Sequence, residues 1–319
     1  MTKDSAALVV LLERKRSWRV LSRSSSLCHE ARVKVSRNRC TFLFPLLSLV
    51  SLASRAQDSL PEHLKDRGPG VPTSLFGTYI ESGQWMLYPF LEYERNREEE
   101  YSPIELGFPR PGFVGEEEYF GEGTQHEALL FIGYGINDAL AVEFEAELYA
   151  SAKLDKSPLD TSPVPARIEE SGFAGAEAQL RWLWREETPE RRAMYSFFEV
   201  EFPLQDTKVL IGTQDLEFAV GTGFIRGYTW GTLNGRISIA YDGEENKVEL
   251  GEYALEYLKR LNDRWRLVAT LEGEDDEVAL IGEAQLTLRP GAILKVNSGF
   301  GLTEKAVDFA PEIGVLFAF

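Results

Sequence analysis

Glutamates recur at every second position along several stretches of this chain. Glu143, Glu145 and Glu147 alternate with Val142, Phe144, Ala146 and Leu148, and the pairs Glu92/Glu94 and Glu199/Glu201 repeat the spacing. Period two is the period of an extended strand, whose successive side chains point to opposite faces. Each stretch would therefore carry acid on one face and apolar side chains on the other. Glu177, Glu252, Glu256, Glu283 and Glu312 fit the same acidic face, and the cations Arg181, Arg185, Arg236, Arg264 and Arg266 are interleaved with it. Enclosed by a wall, such groups have two uses. They can pair into Glu–Arg ladders that close the space, or line a water-filled passage whose negative field gathers cations and repels anions.

Catalytic sets are scarce by comparison. Beyond residue 56 the histidines are His63, in a polar stretch, and His126, at the start of an alternating segment, with no nearby Ser or Asp to build a triad. There is no HExxH and no cofactor motif, so neither a metal nor a cofactor is expected and the chain is read as a non-enzyme. A carboxylate pair working at a rim is the last-ranked alternative. Acidic runs at 98–100, 116–118, 242–245 and 272–277 supply oxygens of the kind calcium takes, yet none follows an EF-hand pattern, and solvated loops are the expectation. Divalent ions bridging such loops to lipopolysaccharide are a minor variant.

The elements that must hold these residues follow from composition and pattern. The 319 residues are 44% hydrophobic and 12% aromatic, yet mean hydropathy is only -0.22, because charge interrupts every apolar run. The C-terminal 260 residues contain no run of about 18 apolar residues, so any membrane crossing there is made by strands. A formal charge of -17 excludes a nucleic-acid partner, which needs a basic face. Residues 32–56 have the form of a secretory signal: Arg32, Lys34, Arg37 and Arg39, then an apolar run over 40–53, then Ser54-Arg55-Ala56 for cleavage. Removing residues 1–56 takes eleven basic and three acidic residues and moves the charge to -25. It also removes Cys28 and Cys40, leaving no disulfide or lipid attachment point. Residues 1–31 are unassigned, reading either as a start placed too early or as an unusually long, basic, Ser-rich n-region.

Residues 57–83 are expected to form a periplasmic lead-in, and alternation begins at 84. Twelve strands are expected, at 84–95, 124–134, 139–150, 172–185, 194–203, 214–225, 228–241, 248–260, 264–274, 277–288, 291–301 and 308–319. Connections after even strands are short, as at 135–138, 226–227, 261–263 and 289–290, with 186–193 the longer exception, whereas those after odd strands are mostly long, with 275–276 tight. That asymmetry, and an even count, suit a transmembrane antiparallel up-and-down β-barrel, all-β in class. A soluble sandwich would share the period-two pattern. Aromatic placement argues against it: Trp85, Trp182, Trp184, Trp230, Trp265, Tyr93, Tyr241 and Tyr257 fall mostly near strand ends, where interfacial girdles sit.

The last segment places Phe309, Ile313, Val315, Phe317 and Phe319 on one face and ends on Phe. This resembles the C-terminal signal of bacterial outer-membrane β-barrels, and the likeness covers 84–319. GTYIESGQWMLYPFLEY at 77–93 resembles transporter-like barrels, among them the phenol-degradation-pathway family. The resemblance implies an outer-membrane location, contact with membrane lipid and lipopolysaccharide, and recognition by the barrel-assembly machinery. It also implies passive passage of small solutes, for which the acidic face predicts a cation preference. The alternative is a non-conducting structural or surface-interaction barrel closed by its own Glu–Arg network. Residues 102–114, mixing apolar, Pro and Gly residues, are the expected seat of specificity, as an inward constriction or plug or as an adhesive surface loop.

Overall fold

The computed structural model describes residues 60–109, 118–205, 207–213, 215–243, 247–274 and 277–319. The expected signal segment, residues 1–31 and both cysteines lie outside them. A single 3-10 turn at Glu62–Leu64 precedes a two-stranded ribbon of β1 (Val71–Pro72) and β2 (Tyr79–Ile80). The wall follows as β3 (Trp85–Tyr101), β4 (Tyr119–Asn137), β5 (Leu140–Asp155), β6 (Arg167–Gly172), β7 (Ala176–Arg185), β8 (Ala193–Phe202) and β9 (Glu217–Tyr228). It continues with β10 (Gly231–Asp242), β11 (Lys247–Arg260), β12 (Trp265–Glu274), β13 (Glu277–Arg289), β14 (Ala292–Gly301) and β15 (Ala310–Ala318). Each wall strand pairs antiparallel with its neighbours, and β15 returns to β3 through Glu312↔Glu92 and Ala318↔Met86. β6 and β7 both pair with β5, through its residues 150–155 and 140–146, and together make one position in the wall. The result is a closed barrel of twelve strands, as the alternation predicts.

The wall is inside out relative to a soluble protein. On β5, Val142, Phe144 and Leu148 are 39%, 41% and 52% exposed on the outer surface, while Ala141 and Glu143 are buried inside. Closure satisfies the backbone and the apolar belt faces lipid, a combination a sandwich does not produce. Trp85, Trp182, Trp184, Trp230 and Trp265 are all exposed and all lie at the end that carries the short turns. Tyr228, Trp230 and Tyr257 stack there with centroids 4.8 and 5.8 Å apart.

Boundaries differ from the sequence expectation in three places along the wall. The fourth strand does not run unbroken from 172, because residues 173–175 separate β6 from β7. β3, β4 and β5 run on to 101, from 119 and to 155, raising that side of the wall at the long-loop end. The extension carries buried apolar residues of its own, Tyr101 on β3 and Leu154 on β5. The turn expected at 226–227 lies at 229–230, and β9 continues through Gly227. A Cβ on Gly227 would sit 1.9 Å from the His63 carbonyl oxygen, so the absent side chain lets the N-terminal segment pack against the strand.

That contact belongs to the largest correction. The expected lead-in, over its described residues 60–83, does not stay outside but enters the barrel from the short-turn end. Val71 and Ile80 are fully buried among inward side chains of the wall, including Tyr88, Phe131, Tyr195, Ile225 and Leu258. Outside the apolar contact the segment is held by charge. Arg67 pairs with Glu187 at 3.2 Å, both side chains at most 4% exposed, and its guanidinium lies 5.0 Å over the Tyr79 ring. Glu187 also accepts from the Gly227 amide at 2.7 Å, and Asp66 meets Lys259 at 3.4 Å and the Arg260 amide at 3.0 Å.

At the other end the loops make a small core of their own. Tyr101, Leu106, Leu154, Val164, Leu210 and Ile211 are buried together. Leu106 thus ties its loop to the raised wall, and residues 110–114 of that loop lie outside the described residues. Asp160 is the polar centre: it accepts from the Tyr101 hydroxyl at 2.9 Å and the Ser162 amide at 2.6 Å, with Lys156 3.6 Å away. Burial opposes its ionisation, but these partners outweigh it and hold the carboxyl below the usual range.

Three outcomes are expected from this arrangement. Phe144→Lys should cost about 2 to 4 kcal/mol of insertion free energy, read by denaturant titration in vesicles, because it sets a charge against the hydrocarbon, whereas Glu145→Lys should be better tolerated. Arg67→Ala leaves Glu187 buried without its cation, a loss of about 3 to 5 kcal/mol that falls on the inner segment. Limited proteolysis should then cut within 60–83 while heat-modified gel migration of the barrel is unchanged. For Asp160 the folded value is depressed, so its contribution is complete above the unfolded carboxyl value and vanishes as pH falls through the folded one. Hydrogen-exchange protection over 156–166 should hold from neutrality to about pH 4 and drop below it.

Candidate functional site

The lumen has two levels of different chemistry. Towards the long-loop end lies a cavity of about 560 Å³. Among the described residues, thirteen glutamates and two lysines, Lys153 and Lys305, line it. Glu92, Glu94, Glu145, Glu147, Glu199, Glu201 and Glu252, all expected on the inner face, are among them, brought together by β3, β5, β8 and β11. Glu127 from β4 lies between β3 and β5 and accepts from Gln125. Glu199 accepts from Gln179, whose own oxygen takes the Arg181 Nε–H at 2.9 Å. The acids are crowded because the hydrogen-bonded register sets one strand's inward residue beside the next, as in Glu145↔Glu177 and Glu177↔Glu201. A concave, low-dielectric wall of one sign focuses potential and concentrates counter-ions.

Below the bowl the sign balances. Glu143 and Arg181 approach to 3.3 Å with both side chains at most 3% exposed, and Glu283 and Lys295 do the same at 3.3 Å. Arg236 binds Glu252 and lies 3.6 Å from Glu272. Glu256 completes this ring. Through it passes the loop between β1 and β2. Glu143 Oε2 accepts from the Ser74 amide at 2.9 Å and its hydroxyl at 2.7 Å, and Glu256 Oε2 accepts from the Gly77 amide at 2.7 Å. In return Arg236 donates to the Ser74 carbonyl, and Gln285 and Lys295 donate to that of Phe76, each at 3.3 Å. Gly77 has φ +62°, and a Cβ there would lie 2.7 Å from Val268 Cγ2 and 2.9 Å from Gln285 Nε2, so this position needs glycine both for its turn and for its room.

The other expected residues are placed as follows. Glu312 accepts from the Tyr88 hydroxyl inside the barrel. Arg266 pairs in register with the inward Gln285 and faces the lumen nearer the short turns. Arg185 and Arg264 correct the expectation. Arg185 donates to the Arg192 carbonyl at 3.2 Å beside a register break, and Arg264 is an exposed turn residue before β12, so both stand at the rim. Phe309, Ile313 and Phe319 are exposed on the outer surface, and Val315 and Phe317 share their strand face.

Sequence reasoning missed the inner segment, Glu127, Lys295, Gln285 and Glu272. Glu272 falls both in the expected strand 264–274 and in the acidic run 272–277, and it continues the alternation of Val268 and Thr270. The segment had a signal as well: SLFGTYI is an apolar stretch with a glycine turn, flanked by Pro and Gly. Among the described residues no acidic or histidine group has the convergence a metal ion needs.

No family model and no curated protein matches the chain. Its fold is similar to that of an outer membrane channel from Pseudomonas putida F1, with a TM-score of 0.54 at 11% identity, covering 78% of this chain and 99% of that one. The KdgM porin solved with disordered oligogalacturonate gives 0.43 at 8% identity, over 73% and 99%. The translocator domain of the autotransporter NalP from Neisseria meningitidis gives 0.40 at 10%, over 75% and 89%. A closed twelve-strand barrel with an apolar outer belt, similar in fold to a channel of that membrane, is a protein of the bacterial outer membrane.

Proposed function

We propose that the protein is a small-solute channel whose outer vestibule prefers cations and whose passage is closed at rest by residues 60–83. The observation that carries this reading is the excess of thirteen glutamates over two lysines around the cavity. Its structural neighbour's description as an outer membrane channel agrees with it. On this reading the short turns face the periplasm, residues 32–56 direct export, and the row Phe309, Ile313, Val315, Phe317 and Phe319 is read by the assembly machinery. Lipid and lipopolysaccharide surround the outer belt.

A second reading, a barrel that never conducts, draws on the same closure: the buried Arg67–Glu187 pair and the filled ring hold the segment at both ends. Single-channel recording of protein purified from outer membranes separates the two. Cation-selective steps are expected, rare in the native protein and frequent in Arg67→Ala, where the segment is loosened. Silence in both would establish the non-conducting barrel. Replacing Glu127, Glu145 and Glu147 together by Gln should move the reversal potential in a salt gradient towards that of an unselective pore; an unchanged potential would remove those side chains from selectivity.

A further inference from the structure

We propose that the ring below the bowl is a recognition site for short peptides, and that residues 74–77 occupy it as an internal stand-in for such a ligand. The inference rests on the channel reading and adds a substrate class to it.

The ring grips backbone. Two carboxylates, Glu143 and Glu256, accept the amides of Ser74 and Gly77, while Arg236, Gln285 and Lys295 donate to the carbonyls of Ser74 and Phe76. Apart from the Ser74 hydroxyl on Glu143, every one of these contacts is to a group that any peptide possesses. Side chains are accommodated and not read: the Phe76 ring lies 4.9 Å under the Arg236 guanidinium, and Leu75 packs on the apolar cluster.

The charges of the ring also differ from those above it. Glu143, Glu256 and Glu283 stand beside Arg181, Arg236 and Lys295, with Arg236 shared with Glu252 at the floor of the bowl, so the ring presents both signs to a solute. A molecule carrying both an ammonium and a carboxylate complements such a ring. The loop leaves that complement unfilled. Glu143 Oε1, Glu256 Oε1 and Arg181 Nη1 are buried and without a hydrogen-bond partner, as is Gln285 Oε1. Buried polar atoms in that condition are expensive, and a ligand that supplied an ammonium to the carboxylates and a carboxylate to Arg181 would satisfy them as the neutral loop does not. Such a ligand competes with residues 74–77 for the same atoms, so its binding favours the released segment by mass action.

Vesicle swelling tests this with triglycine against arabinose, a neutral solute of similar size, and putrescine, a dication that suits the bowl alone. In the native protein triglycine should enter about fivefold faster than arabinose, less than one charge-assisted hydrogen bond is worth. Arg236→Gln and Lys295→Gln each loosen the loop and change every rate, so the readout is the triglycine to arabinose ratio, which should fall towards one. Equal rates for the two solutes in the native protein, or putrescine outrunning triglycine, would overturn the peptide site while leaving the channel standing. No entry of any solute, together with electrical silence in Arg67→Ala, would remove the channel reading and this inference with it.

Discussion

A carboxylate inside a protein wall must meet a cation, a donor or water, and the arrangement of this barrel depends on how that requirement is met at each height. Closing twelve strands with their apolar faces outward leaves the charged faces to point at one another across the lumen. At the waist there is no room for a full hydration shell, and the acids there are paired: Glu143 with Arg181, Glu283 with Lys295. Nearer the long loops the space widens to the cavity, and the acids can keep water. The same residue type therefore builds a packed ring and a hydrated bowl, and only the space around it differs.

The inner segment solves the rest of the problem at the waist. Glu143 and Glu256 still require donors after the basic side chains are placed, and the amides of the turn at 74–77 provide them. A polypeptide is suited to this because it carries donors and acceptors in equal number and obliges the wall to satisfy both. The apolar part of the segment is held by ordinary burial, with Val71 and Ile80 filling the lower lumen. Its exit is held by ion pairs with the short-turn end at Glu187 and Lys259. Three kinds of interaction thus act at three heights, and the lowest is the one reached from the periplasm on the orientation proposed here.

Much of the wall was legible in the sequence because its signal is local. Period-two alternation identifies which face of β5 or β7 points inward without knowledge of any other strand, and Glu143, Glu177 and Arg181 follow from it directly. Boundaries were less legible where an outside contact decides them. β9 continues through Gly227 because the His63 backbone lies on it, a relation spanning more than half the chain. The inner segment was misplaced for a related reason. Its polar and Pro/Gly-rich character is that of a solvated linker, and what distinguishes it, donors that match buried acids on β5 and β11, exists only once the barrel is closed. Arg185 and Arg264 failed by a smaller margin: alternation gives a face, but at a strand end a face no longer means an interior.

Function divides along the same lines. A single-sign vestibule acts at long range and distinguishes solutes by net charge, whereas a balanced, dry ring acts at contact and distinguishes them by where their donors and acceptors lie. On the channel proposed above the two levels stand in series, so that for anything arriving from outside charge would be sorted first and hydrogen-bond geometry second. A cation without acceptors is concentrated by the bowl and then meets a ring that can bind only half of itself to it. A dipolar solute gains little from the bowl and more from the ring. The presence of both levels in one lumen is therefore better suited to a solute with a positive end and a peptide-like body than to a simple ion, for which the bowl alone would suffice.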